Sequence, residues 1–298
     1  MSEETREISS NGVACLVNVL VDDVTPEVLD PALTELAELG YSHVVLPPLD
    51  PAATDARALG SLLGAAGLQP ITIFGGHSPE TDVRSADDDV RYAGATAMRA
   101  VIELTAALGG KQMNGVPYGI FGHPAGATTP EEFARSAREA GKAADYAHSL
   151  GISMTFEVLN RYETSVVNTA AQAMEYVRQS ESDHLRIHLD TFHMAIEEAD
   201  IRAAITLALP KLGYLELGQS GRGNLNTGAV DVVEVVRHAE NLGYTGLFGV
   251  EAFSRSILPG FVSDALAIWR EPYTSGAELA AGAAQLIRTG LELSHRQR

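Results

Sequence analysis

Four short apolar runs in the second half of the chain each close on an acid. "ISMTFEV" (152–158) delivers Glu157, "LRIHLD" (185–190) delivers Asp190, "GYLELG" (213–218) delivers Glu216 and "GLFGVEAF" (246–253) delivers Glu251. An acid at such a place commonly caps the next helix or faces water. Four of them at one level are a different matter, because like charges converging on one point repel and need compensation. The economical compensation is a divalent cation. A donor set made of carboxylates suits a hard ion, Mn²⁺ or Mg²⁺ with Co²⁺ as a further candidate, better than a zinc site built on His or Cys.

The acids converge only if the runs that carry them lie side by side. Eight apolar runs recur along the chain: 12–20, 42–48, 70–76, 111–118, 152–158, 185–190, 213–218 and 246–253. Amphipathic stretches separate them, among them "PEVLDPALTELAELG", "DVRYAGATAMRAVIELTAALG", "PEEFARSAREAGKAADYAHSLG" and "GAVDVVEVVRHAENLG". Several of these end in Leu-Gly, the signature of a left-handed helix stop. Continuous apolar strands alternating with such helices specify a parallel sheet covered on both faces. Eight units without a midway linker, in 298 residues, predict a single α/β domain, a (β/α)8 TIM barrel. No GxGxxG loop follows the first run, which weighs against a dinucleotide fold. Residues 1–11 read as a flexible tail and 276–295 as an extra C-terminal helix. In such a barrel the chemistry sits at the C-terminal ends of the strands, where the four acids fall.

Composition narrows the partners. With 39 acids against 21 bases and a net charge of −18, the chain is a poor match for nucleic acid or an anionic membrane, both of which demand basic contacts. The single Cys15 excludes a disulfide framework and lies in an apolar run, where it reads as a small core residue. The opening "MSEETREISSNG" has no apolar signal segment, and no run approaches the ~20 residues of a membrane span; a cytoplasmic protein is expected.

The motifs "FEVLNRYET…NTAAQA", "IHLDTFHMAIEEAD", "GRGNLNTGAVD" and "VEAFS…IWR" closely resemble the D-tagatose/D-allulose (psicose) 3-epimerases, within the xylose-isomerase-like sugar isomerases. The resemblance runs from about residue 110 to 294. It implies metal-dependent epimerisation at C3 of a free ketose through a cis-enediolate. Glu157 and Glu251 would bind the metal, flank the sugar on opposite faces and exchange the C3 proton. Asp190 would be a pure ligand, and Glu163, His193 and Arg222 would hold sugar hydroxyls. His188, two residues before Asp190, faces the same side of its strand and reads as a packing or supporting residue. Tyr118, Phe121 and His123 in "GVPYGIFGH" are candidate pocket walls, and Trp269 in "IWR" reads as core packing of the last helix.

Strand seven departs from the family. Where the epimerases read like "HIGESHRG", this chain has Glu216-Leu217-Gly218-Gln219-Ser220-Gly221-Arg222-Gly223. The metal-binding His is Glu216, and the acid three residues on is Gln219. Four carboxylates then face one divalent ion, which should bind tightly yet act as a weaker Lewis acid, with Arg222 offsetting part of the charge. The first strand also lacks the family's aromatic substrate wall. Two other readings share the sequence: metal-dependent elimination from 3-keto-glycosides, as in C-glycoside deglycosidases, and a non-catalytic sugar-binding relative. A homodimer or homotetramer is compatible with either.

Overall fold

The computed structural model describes residue 9 and residues 11–295. In chain order the elements are β1 (Val13–Leu16), α1 (Pro26–Glu38), β2 (His43–Val45), α2 (Ala56–Ala66), β3 (Gln69–Phe74), α3 (Asp88–Ala107), β4 (Gln112–Gly115) and α4 (Pro130–Ser149). They continue with β5 (Ser153–Val158), α5 (Ala170–Ser180), β6 (Leu185–Asp190), α6 (Thr191–Glu197), α7 (Ile201–Ala208), β7 (Leu212–Leu217), α8 (Val232–Asn241), β8 (Leu247–Val250), α9 (Gly260–Ala265) and α10 (Gly276–His295). The strands pair in sequence order, all parallel, and β8 closes on β1 through Ala14 opposite Gly249. The eight predicted strands all form and close into the expected TIM barrel.

Several strands stop short of their apolar runs, for local reasons. The run 12–20 yields a four-residue strand because Val17–Val19 turns into a 3-10 helix. The run 42–48 ends in Pro47 and Pro48, which have no N–H to give a ladder, and β2 stops at Val45. Helix starts are fixed by side chains: Thr129 with Glu132 and Thr169 with Gln172 form capping boxes on α4 and α5, each cap worth about 1 kcal/mol. Helix stops use Leu-Gly, with Gly151 and Gly243 at φ 74° and 78°, a region a side chain disfavours. The extra helix α10 lies across the outside of the barrel. Tyr41 donates to its Ala280 carbonyl at 2.8 Å, and Gly290 leaves room for Val236 of α8. The expected N-terminal tail lies outside the described residues except at Ser9 and Asn11; the Asn11 amide donates to the Tyr244 carbonyl at 2.8 Å. Among the described residues, no helix is long and apolar enough to cross a membrane.

Alternation along each strand decides which side chains fill the barrel. Below the acids the interior is partly polar and fully packed. Gln112 donates to Asn114, and Thr155 donates to the same Asn114 oxygen, both at 2.8 Å. Tyr214 stacks edge-on against His188 with centroids 4.7 Å apart. Gly249 opposite leaves room for the Tyr214 ring, since a Cβ there would lie 2.3 Å from its hydroxyl. Cys15 is buried in the same core. This floor lies beneath the end where β5 to β8 deliver their last residues.

Candidate active site

Strand register sets the four acids side by side. Glu157 pairs with His188, Asp190 with Glu216, and Glu216 with Gly249 two residues before Glu251. Donor atoms of Asp190, Glu216 and Glu251 lie within 4.8 Å of one another, as do those of Glu157, His188 and Glu216, and those of Glu157, Asp190 and His193. The sequence-predicted carboxylates therefore form one cluster, joined by His193 and His188.

Asp190 shows how one acid serves two purposes. Its Oδ1 accepts from the Phe192 N–H at 2.8 Å and caps α6, while the buried Oδ2 has no hydrogen-bond partner. His193, on the first turn of α6, accepts from the Asn160 N–H at Nδ1 (3.1 Å). That bond puts the ring proton on Nε2, which stands 3.3 Å from Glu157 and 3.5 Å from Asp190. Burial, reinforced by nearby Arg222, pushes His193 down to about 3, so the ring is neutral. His188 Nε2 lies 2.9 Å from Glu216 Oε2, yet neither of its ring nitrogens is aligned for a hydrogen bond.

Arg222 is the cluster's built-in cation. It hydrogen-bonds Glu251 through Nη2, and its Nη1 lies 3.6 Å from Glu163. The guanidinium carbon sits 4.2 Å from the Phe192 ring centre and 4.6 Å from that of Phe253. The residue holds φ 52°, uncommon outside glycine, and is tied by its N–H to Gln219 and its carbonyl to Phe253; such backbone persists where the surroundings over-determine it. One guanidinium does not neutralise four acids. Burial, then mutual repulsion, raises Asp190 and Glu216 well above the usual carboxylate range; Glu157 and Glu251 are also raised, burial again leading.

Four expectations need correction. Tyr118 does not line the site: it is fully buried, packs against Phe156 and Tyr176, and spends its hydroxyl on the Glu157 carbonyl at 2.8 Å. His123 is exposed in a separate hollow with Arg84 and Glu132, and partly buried Phe121 packs by Gly76. Trp269 is not core: it precedes α10, is 66% exposed, and lines a groove of about 340 Å³ running from Glu163 and Arg222 past Tyr162 and Phe192.

Gln219, which stands where the family pattern has an acid, is fully buried. Its amide donates to the Leu225 and Val230 carbonyls and accepts from the Ser220 and Val230 N–H groups, stapling the β7–α8 loop. A carboxylate cannot make the two donations. Sequence reading also missed the rings that sandwich Arg222, although Phe192 and Phe253 each stand two residues after an acid. A larger hollow of about 440 Å³ lies at the other end of the strands, around Gln112, Ser153, Arg186 and Lys211, and contains no carboxylate.

A family model of xylose isomerase-like TIM barrels matches residues 33–284. The chain belongs to that family. Within it, the chain is 37% identical to a ketose 3-epimerase of Arthrobacter globiformis, covering 85% of this chain and 88% of the relative. It is 34% identical to an L-ribulose 3-epimerase of Mesorhizobium japonicum, covering 90% of each. A crystal structure of D-allulose 3-epimerase from Methylomonas sp. in complex with D-allulose superposes with a TM-score of 0.88 at 30% identity, over 97% of this chain and 98% of that one. As a member of this xylose isomerase-like group, the protein is an enzyme of the isomerase class. These relatives are epimerases, so the elimination and non-catalytic readings draw no support from them.

Proposed function

We propose that the protein is a divalent-cation-dependent ketose 3-epimerase that inverts C3 of a free keto-sugar, one of Glu157 and Glu251 removing the C3 proton and the other delivering a proton to the opposite face. The observation that carries this reading is the sorting of the four acids by depth. Glu157 and Glu251 keep 15% and 12% of their side chains accessible, against 0% for Asp190 and 5% for Glu216. Inverting a centre without moving the substrate takes one acid/base group on each face, and the two shallower acids are the ones a sugar can touch. Asp190 and Glu216, below, are left to hold charge.

The residues fit a cation. Four buried acids with a single arginine, one of them (Asp190) offering an unpartnered oxygen, make an oxygen-rich donor set for Mn²⁺, Mg²⁺ or Co²⁺. Glu157, Asp190, Glu216 and Glu251 would hold it, and it would supply Lewis-acid polarisation of the carbonyl next to C3. Glu157 and Glu251 do the proton work. Burial moves both upward from the usual glutamate range, which favours the protonated form that each carboxyl must adopt in turn. His193, with its proton on Nε2, donates to a sugar oxygen beside Glu157. Arg222 steadies Glu251 and, with Glu163, meets the hydroxyls at the groove. The names of the relatives, L-ribulose and D-psicose 3-epimerases among them, support a free ketose of five or six carbons as the substrate.

The test is conversion of D-fructose, D-tagatose, D-allulose and L-ribulose by chelator-treated enzyme with and without added Mn²⁺, followed by chromatography. A C3 epimer that forms only with the cation supports the reading. Cleavage of a 3-keto-glycoside without conversion of any free ketose would replace it.

A further inference from the structure

The hollow at the N-terminal ends of the strands stands apart from the four acids in place and in charge. Its walls include Gln112, Ser153, Arg186, Lys211 and Thr245, at or beside the starts of β4 to β8. Arg186 shares one face of β6 with His188 and Asp190, the three standing at two-residue steps. Four residues of strand set it about 13 Å from Asp190, so one column carries a cation at one end of the barrel and an acid at the other. The pairing of β6 with β7 skips Gly213, where a Cβ would come 2.9 Å from the Arg186 Cβ. That bare backbone gives the arginine stem its room.

Among the described residues, little answers the charge gathered there. The Arg186 side chain has no hydrogen-bond or ion-pair partner among them, and no carboxylate lines the hollow. Lys211 reaches Asp183, 3.4 Å from its carbonyl and 3.8 Å from its carboxylate, whose side chain is 99% exposed; water screens such a pair. The chain carries 39 acids against 21 bases, so two cations sharing a hollow without one acid run against its composition. Like charges repel there and need compensation, as the four acids do at the opposite end. The hydroxyls of Ser153 and Thr245 add donors to the same walls.

We propose that this hollow is a second ligand site, in which Arg186 and Lys211 hold a phosphoryl dianion. Two negative charges match two cations, where a carboxylate would match one. The planar guanidinium forks onto two phosphoryl oxygens, Lys211 acts as a point charge, and the two hydroxyls donate to what remains. At about 440 Å³ the hollow falls in the range that takes small organic molecules, which leaves room for the body of a phosphate monoester. The site is independent of the cation and the proton exchange proposed above.

Calorimetric titration of the full chain with inorganic phosphate, with D-fructose 6-phosphate and with acetate tests it. One phosphoryl ligand per chain is expected, and no acetate at the same concentrations. Tighter binding of the sugar phosphate would assign the hollow to a phosphate monoester, and equal affinity to free phosphate; either supports the site. Arg186→Gln should weaken phosphate binding about 10- to 100-fold, and Lys211→Gln about 5-fold. Lys142→Gln, an equal loss of charge at a side chain 70% exposed on α4, should leave it unchanged. Absence of phosphate binding, or binding undiminished in both Arg186→Gln and Lys211→Gln, would overturn the site. Acetate binding as tight as phosphate, or a loss as large in Lys142→Gln, would overturn it too. If Arg186→Gln does not fold, Lys211→Gln decides, since it alters a side chain already 24% exposed.

Discussion

Arg222→Met isolates the electrostatic part of the site. Methionine keeps an unbranched, polarisable chain between Phe192 and Phe253 and removes only the charge that Glu251 and Glu163 face. Breaking a buried ion pair by removing one partner costs about 3–5 kcal/mol, because an uncompensated charge stays behind. The acid has an escape, which is to take up a proton. For an ordinary glutamate of pKa about 4.3, protonation at pH 7 costs about 1.36 × 2.7, or roughly 3.7 kcal/mol. That figure caps the loss near 4 kcal/mol at pH 7, and the same arithmetic lowers the cap to about 1 kcal/mol at pH 5. Urea denaturation of chelator-treated wild type and variant at both pH values measures it. With saturating Mn²⁺ the penalty at pH 7 should shrink, since a cation then replaces the guanidinium. A loss below about 1 kcal/mol at pH 7, or one equal at both pH values, would mean that Arg222 does not compensate the cluster.

Further outcomes follow from the same geometry. In Gly218→Ala the new Cβ would lie 2.6 Å from Asp190 Oδ1 and 3.0 Å from the Phe192 Cβ. Displacing the Asp190 carboxylate at an overpacking cost of about 1–3 kcal/mol should weaken Mn²⁺ binding about 5- to 150-fold by calorimetry. Gln219→Glu loses two donations to buried carbonyls and should cost about 1–3 kcal/mol in thermal or urea unfolding, a loss that added Mn²⁺ does not reverse. The cation-free enzyme should become less stable as pH rises above the ordinary carboxylate range. Glu157, Asp190, Glu216 and Glu251 are all raised in the folded state, so the native form holds more protons than the unfolded one. Each retained proton contributes at most about 1.4 kcal/mol per pH unit; calorimetric melting points from pH 5 to 8 should fall in chelator and level out with Mn²⁺.

The barrel and its carboxylates were legible because both follow from periodicity. Eight apolar runs with Leu-Gly stops fix a parallel sheet, and the last residue of each late strand then has one place to go. The parity of His188 with Asp190 was equally readable, two residues being one strand period. What escaped depends on loops. Tyr118 lies beyond β4 in a segment that folds back, so its hydroxyl meets the Glu157 backbone where an open pocket was expected. Trp269 sits in the connection before α10, where no repeat dictates its direction, and it faces water at the mouth. Gln219 owes its role to four backbone groups up to eleven residues away in the chain. The cradle of Arg222 depends on a left-handed backbone at a non-glycine residue, which spacing does not encode.

The central claim is that Glu157 and Glu251 move a proton at C3 from opposite faces. Incubation of the Mn²⁺-loaded enzyme with D-allulose, D-tagatose and D-fructose in heavy water, read by nuclear magnetic resonance, tests it most directly. The account predicts deuterium at C3 of an accepted ketose, with incorporation lost in Glu157→Gln and in Glu251→Gln while both variants stay folded. Conversion without C3 label, or label undiminished in either variant, would contradict it.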